Sequence, residues 1–105
     1  MNPYEVYIAY ISWGDDGKRR PVLFLEEDNG HVKAFRITSQ YTNKSDEIKA
    51  RYIEITDWKV AGLAKLSYID AGEKVRISAK LISPDTPIGK LTEADKQRLL
   101  EFLTK

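Results

Sequence analysis

Two short polar runs carry the side chains of this sequence best suited to bind a phosphate group. They are Lys18, Arg19 and Arg20 in a basic run, and Thr38, Ser39 and Gln40 in a polar run. Guanidinium groups bind phosphate oxygens through charged, often paired hydrogen bonds, and hydroxyl groups add neutral ones. If the fold brings the two runs together, the sequence predicts a phosphate site between them.

A β-hairpin predicted around Asn29 and Gly30 would bring the runs together. Residues 20–27 and 31–38 are both rich in strand-forming residues, and Asn-Gly is the preferred two-residue type I′ turn between such strands. One register then gives an aromatic pair, an aliphatic pair and an opposite-charge pair, which is the consistency expected of a hairpin. The predicted pairs are Phe24 with Phe35, Val22 with Ile37, and Glu26 with Lys33.

The same register places Arg20 opposite Ser39 and Pro21 opposite Thr38. Strict alternation leaves Arg20 and Ser39 on one face of the hairpin and Thr38 on the other. A β-bulge or a strong twist at the end of the hairpin would bring all three side chains into one pocket. The alternative interpretation is that Lys18 and Arg19 form a solvated loop run and that Thr38 and Ser39 simply end a strand.

The remaining pattern predicts a single domain over residues 1–105, a small SH3-like antiparallel barrel with a C-terminal helix. Further strands are expected at 4–11, 51–55, 63–69 and 74–82, the last two joined by a turn at Asp70-Ala71-Gly72. Loops are expected at 12–18, with Gly14 and Gly17 as pivots, at 41–49 with at most one helical turn, at 57–62 and at 83–87. The helix is predicted over 93–103, because Thr92 is a typical N-cap and leucines follow at helical spacing.

Composition excludes several function classes. Seventeen Lys and Arg against sixteen Asp and Glu give a formal charge of +1, so nucleic acid would have to bind a local patch. Zero cysteines and one histidine exclude a Cys-ligated zinc site and a multi-histidine metal site, so no metal and no cofactor are expected. The one histidine, His31, adjoins the predicted turn, far from the polar runs. No apolar stretch approaches the roughly 20 residues of a membrane helix, and the expected location is the cytoplasm.

Four segments in order along the chain resemble the MazF/PemK-like toxins of bacterial toxin–antitoxin systems, in particular the short PemK-like branch. Residues 18–25, KRRPVLFL, resemble the family's RRPVLVL strand, and residues 36–40, RITSQ, resemble its I-T-S strand end. Residues 58–63, WKVAGL, and 88–92, IGKLT, resemble the second half of that branch. Together these segments span nearly the whole chain.

The resemblance implies a CcdB/MazF/PemK-like barrel that forms a homodimer, binds single-stranded RNA in a groove, and is blocked by the tail of a cognate antitoxin. It implies an endoribonuclease that cleaves without metal, by attack of a ribose 2′-hydroxyl on the adjacent phosphate. The family's arginine before proline corresponds to Arg20 and its threonine after isoleucine to Thr38, the two implied catalytic residues. Lys18, Arg19, Ser39 and Gln40 would bind substrate, together with Glu73 as the acid near the penultimate strand.

The sequence also departs from the family. The first residues differ from those of many relatives, the loop before Arg20 is short, and no arginine accompanies Glu73 until Arg76. These departures leave a second interpretation open, that of a catalytically inactive module of the same fold that binds a protein partner or nucleic acid.

Hydrophobic residues on both faces of the hairpin give a separate reason to expect a homodimer. One face is expected to carry Val22, Phe24, Phe35 and Ile37, and the other Leu23, Leu25, Val32 and Ala34. A small barrel buries one face in its core, so the second requires a cover from the helix or from another subunit.

Overall fold

The computed structural model describes residues 1–13, 16–82 and 86–105. Within these ranges the strands are β1 Glu5–Trp13, β2 Asp16–Asp28, β3 His31–Thr38, β4 Tyr52–Ile55, β5 Ser67–Ser78 and β6 Gly89–Lys90. The helices are α1 Asp46–Lys49 and α2 Glu93–Leu103, and a 3₁₀ turn, Ala79–Leu81, follows β5.

The strands form one antiparallel sheet in the order β4-β5-β3-β2-β1-β6. The sheet curls into a half-barrel, with α2 packed near β4 at one end of the strand order. The predicted mainly β architecture with a C-terminal helix is therefore confirmed.

The predicted hairpin is present as β2 and β3, and its turn has the expected geometry. Asn29 and Gly30 both have positive φ, at 51° and 78°, as a type I′ turn requires. Glu26 lies opposite Lys33 and forms an ion pair with it at 3.2 Å. Near the turn, the register is the one predicted.

Beyond Glu26 the predicted register is wrong by one residue, because a β-bulge at Leu25 interrupts the ladder. Phe24 lies opposite Ala34 rather than Phe35, and Val22 lies opposite Arg36 rather than Ile37. A sequence pattern read with strict alternation has no means of placing the extra residue, and it favours the apolar partner Ile37 for Val22 where the structure pairs Val22 with Arg36.

Two further expectations about strand ends are corrected. β2 begins at Asp16, so Lys18 and Gly17 belong to a strand paired with β1 and not to a loop; the predicted pivot Gly14 lies outside the described residues. Asp70-Ala71-Gly72 is not a turn between two strands, because β5 runs through it. This polar segment forms a large β-bulge in β5. Ala34 pairs with Val75 and Arg36 with Asp70, so four residues of β5 face one residue of β3.

The C-terminal helix matches its prediction at both ends. The Thr92 hydroxyl oxygen accepts a hydrogen bond from the Asp95 amide, the N-cap interaction that the sequence predicts. The Asp95 carboxylate, 1% exposed, accepts from the amides of Thr56 and Asp57 at 3.1 and 3.0 Å and from Arg98. These bonds fix the start of the helix against the segment that follows β4.

Two apolar clusters lie on the two faces of the curled sheet. The first includes Val6, Leu23, Phe35, Ile37, Ile55, Ile69 and Leu99. The second includes Tyr7, Val22, Phe24, Val32, Ala34, Ile77 and Ile82. The predicted assignment of Phe24 and Phe35 to one face is wrong, since the bulge at Leu25 separates them. Both faces are covered from within the chain, the first by α2 and the second by residues 77–82.

Candidate functional site

Two residues of β2 and two at the end of β3 form a wall shared by two neighbouring cavities. This shared wall consists of Arg20, Pro21, Ile37 and Thr38. The first cavity has a volume of about 300 Å³ and the second about 330 Å³. A ligand that crosses the shared wall would therefore contact Arg20 and Thr38 and extend into a cavity on either side.

The bulge at Leu25 explains how Arg20 and Thr38 come to one place. Past the bulge Val22 pairs with Arg36, so the same register continued by two residues sets Arg20 across from Thr38. Alternation then puts both side chains on one face of the sheet. The sequence prediction placed Thr38 on the face opposite that of Arg20. The one extra residue at Leu25 moves Thr38 to the same face as Arg20.

Arg20 presents an unneutralised charge at the shared wall. Its backbone is fixed by pairing with Ala9 of β1, whose side chain is fully buried, while the Arg20 side chain is exposed. Over the described ranges, Arg20 forms no ion pair and no side-chain hydrogen bond. Its guanidinium is free to bind an anion.

The Thr38 hydroxyl is oriented by its own strand end. Its oxygen accepts a hydrogen bond of 3.0 Å from the Gln40 amide, and the residue is half-buried. Because the oxygen is the acceptor in that bond, the hydroxyl proton remains available to donate. Thr38 can thus donate to an oxygen atom of a ligand held by Arg20.

The first cavity adds hydroxyl groups and a lysine to the shared wall. Its further lining residues are Ile8, Ser39, Gly62, Leu63, Ala64, Lys65, Ser67 and Ile88. A close backbone approach forms this side of the cavity: Gly62 has φ 81°, and a Cβ there would overlap the carbonyl of Ile88. Only glycine fits such a position without strain.

The second cavity contains cationic groups that the sequence analysis did not single out. Arg36 and Lys44 line it together with Arg20, against one carboxylate, Asp70. Asp70 is 7% exposed and lies 3.9 Å from Arg36 and 3.7 Å from Arg51, measured from its Oδ2 to their Nη2 atoms. The net positive lining suits a polyanion. The sequence did not indicate this cluster of charged residues, because Asp70 lies in an Asp-Ala-Gly segment that is typical of a turn.

One tyrosine, Tyr52, lines the second cavity. Tyr52, Asp70 and Arg36 form one row across β4, β5 and β3, and the next row on that face contains Tyr68 and Thr38. Burial and, to a smaller extent, the charge of Asp70 raise the pKa of Tyr52. Its hydroxyl therefore stays protonated throughout the neutral range.

The remaining predicted site residues lie in different places. Ser39 lines the first cavity and Gln40 the second. Lys18 and Arg19 are exposed on β2, paired with Ile11 and Tyr10, and line neither cavity. Glu73 is exposed within the bulge of β5 and is likewise outside both linings.

No metal site is found among the described residues, since no three His, Cys, Asp or Glu side chains cluster there. His31 lies at the β2–β3 turn with its Nδ1 3.4 Å from the Asn29 carbonyl oxygen, away from the shared wall. In the part of the chain that the structure describes, no helix is long and apolar enough to cross a membrane.

The curled sheet with its C-terminal helix has the fold of the MazF-like toxins. A solved structure with this fold is the Mycobacterium tuberculosis toxin MazF-mt6, which superposes with a TM-score of 0.70 over 94% of this chain and 91% of that one. The two sequences are 21% identical. No protein-family model and no curated protein matches the sequence. The likeness establishes the shared fold.

Proposed function

We propose that this protein is a metal-independent endoribonuclease that cleaves single-stranded RNA, acting as the toxin of a toxin–antitoxin system. The observation that carries the proposal is the shared wall, where the unneutralised guanidinium of Arg20 and the hydroxyl of Thr38 meet between two cavities. The MazF-like fold supports it, since the strand ends that resemble the family's motifs are the ones that meet at this wall.

The proposed reaction is a transesterification within the RNA chain. The ribose 2′-oxygen forms a bond to the adjacent phosphorus while the bond from phosphorus to the 5′-oxygen breaks. The products are a 2′,3′-cyclic phosphate and a 5′-hydroxyl, and the proton of the 2′-hydroxyl passes through solvent to the departing 5′-oxygen. Atoms and charge balance without an oxidant, a metal or a second substrate.

Arg20 and Thr38 have distinct roles in this reaction. Arg20 binds the non-bridging phosphate oxygens and stabilises the negative charge that develops on them in the transition state. Thr38 donates its free proton to a phosphate oxygen or positions the 2′-hydroxyl for attack. Ser39 and Gln40 contact the substrate from the two cavities, and Lys18 attracts the phosphate backbone from the neighbouring strand face. Arg19 and Glu73, which line neither cavity, are proposed to contact the RNA only where it extends beyond the cavities.

A second candidate function is a catalytically inactive module that binds RNA or a protein partner through the same cleft. It is favoured by the position of His31, the one histidine, far from the shared wall, which leaves the cleft without a neutral imidazole base. Incubation of purified protein with single-stranded RNA separates the two functions: the nuclease yields 2′,3′-cyclic phosphate ends with or without EDTA, whereas the binding module retains intact RNA.

We further propose that the protein is a cytoplasmic homodimer of single-domain chains that a cognate antitoxin blocks. The argument from uncovered hairpin faces does not support the dimer, because both faces are covered within the chain. Support comes from the fold and from exposed apolar side chains at one cavity rim, Tyr10 at 45% and Leu81 at 39% exposure. Light scattering at micromolar concentration tests it, and a 12.1 kDa species would contradict it.

A further inference from the structure

Three tyrosines form a packed aromatic group at the edge of the second cavity. Tyr41 and Tyr68 are stacked with ring centroids 4.3 Å apart and planes 10° apart. Tyr52 lies 6.1 Å from Tyr41 and 6.3 Å from Tyr68, so it makes only wider contacts with the pair. Of the three, only Tyr52 lines the cavity.

The backbone holds Tyr52 in a fixed position relative to the shared wall. Tyr52 pairs with Asp70 across β4 and β5, and Asp70 pairs in turn with Arg36 of β3. Thr38 is two residues further along β3, on the same face. An aromatic ring fixed by sheet pairing and by neighbouring rings loses little freedom when a ligand stacks on it.

The charges beside Tyr52 suit the phosphate backbone of a nucleic acid. Arg36 and Lys44, two basic side chains, lie in the same cavity as Tyr52. The buried Asp70 carboxylate lies between Arg36 and Arg51 and holds their guanidiniums at this edge of the sheet. An aromatic ring beside a positively charged groove is the combination that single-stranded nucleic acids bind.

We propose that the second cavity is a nucleotide subsite in which Tyr52 stacks on a base of single-stranded RNA and Arg36 and Lys44 bind its phosphate. Tyr41 and Tyr68 act as positioning residues that support the Tyr52 ring, and Asp70 positions the two arginines. The subsite rests on the proposed function, because it receives the nucleotide adjacent to the phosphate at Arg20. Since stacking tolerates any base, the subsite contributes affinity rather than sequence readout.

The test measures binding of an RNA that cannot be cut. A short 2′-O-methyl oligoadenylate and an abasic oligomer of the same length are titrated by fluorescence anisotropy. For Tyr52→Leu we expect the base-bearing oligomer to bind about 5- to 150-fold more weakly, the range of one base–aromatic stack. Binding of the abasic oligomer should be unchanged, because it offers no base to stack.

Two further variants distinguish an effect of losing the aromatic ring from an effect of damaging the folded structure. Tyr52→Phe keeps the ring and should bind within about twofold of wild type. Tyr4→Leu removes a half-buried tyrosine that lines neither of the two cavities and should bind both oligomers as wild type does. Circular dichroism of each variant reports whether the sheet is intact.

The outcomes distinguish the subsite from the nuclease proposal. Equal weakening of both oligomers by Tyr52→Leu, no weakening of either, or no binding by the wild-type protein would overturn the subsite. Cleavage is not needed for the measurement, so base-dependent loss at Tyr52 in a protein that never cuts RNA would support the subsite while refuting the nuclease. Arg20-dependent cleavage without any effect of Tyr52 would do the reverse.

Discussion

Replacing Arg20 with alanine isolates the charge at the shared wall. The side chain is exposed and without an ion pair over the described ranges, so its loss should change the free energy of unfolding by no more than about 0.5 kcal/mol. The loss of one preorganised donor at a developing anion lowers catalytic rates by about 10²–10³, or roughly 2.7–4 kcal/mol of transition-state stabilisation. Arg20→Ala should therefore fold normally and cleave at least a hundred times more slowly.

The assay is single-turnover cleavage of a labelled single-stranded RNA with enzyme in excess, so that the measured rate is that of the chemical step. Arg20→Lys, which keeps the charge but loses the planar pair of donors, should lie between wild type and alanine. Arg76→Ala is the matched control, an exposed arginine of β5 that lines neither cavity. Thr38→Ala should lower the rate only about 2- to 10-fold, since it removes one neutral hydrogen bond.

The reasoning would be refuted by Arg20→Ala protein that cleaves at the wild-type rate, or by equal losses for Arg20→Ala and Arg76→Ala. A requirement for added Mg²⁺ would also refute the proposed reaction.

The remaining predictions address binding, stability and ionisation. Lys18→Ala should weaken RNA binding and reduce the slope of log affinity against log salt by about one phosphate contact, measured by anisotropy across a salt series. Asp95→Ala leaves two amides and Arg98 without their buried acceptor and should lower the free energy of unfolding by about 2–4 kcal/mol in urea titrations. Glu93→Ala, which removes an exposed pair with Lys96, should change it by no more than about 0.5 kcal/mol. Burial raises the pKa of Tyr52 in the folded state above its ordinary value of 10.0. The contribution of the protonated Tyr52 to the free energy of unfolding is therefore fully present below pH 10.0 and is lost as pH rises through the raised pKa. In Tyr52→Phe that alkaline loss should be smaller, and an identical loss would contradict the assignment.

Local signals in the sequence were enough to predict the features that depend on neighbouring residues. The Asn29-Gly30 turn, the Thr92 cap and the helix bounds follow from backbone preferences that act within a few residues. The hairpin prediction also brought Arg20 near Ser39 and Thr38, but it set Arg20 opposite Ser39, whereas the observed register continued from Val22 and Arg36 sets it across from Thr38.

The features that were missed depend on departures from regular pairing. The extra residue at Leu25 shifts the register so that Val22 lies opposite Arg36, whereas the sequence alone favours its apolar neighbour Ile37 as the partner. The bulge in β5 contains Ala71 and Gly72, which are typical of turns, and it concealed Asp70 as a buried site residue. Arg36 and Tyr52 join the site only through long-range pairing across three strands.

Two different segments of the chain line the cavities on either side of the shared wall, and the sequence of each segment can change independently of the other. The first cavity is closed by residues 62–65 and the second by residues 40–44 with the start of β4, whereas Arg20 and Thr38 are held by strands that neither segment contains. Loops tolerate substitution and changes of length better than paired strands do. Under the proposed function, exchange of one of these loops between related chains would thus change how tightly RNA is held on one side of the wall. Arg20, Thr38 and the opposite cavity would remain as they are, which makes each loop a separate unit for engineering RNA binding.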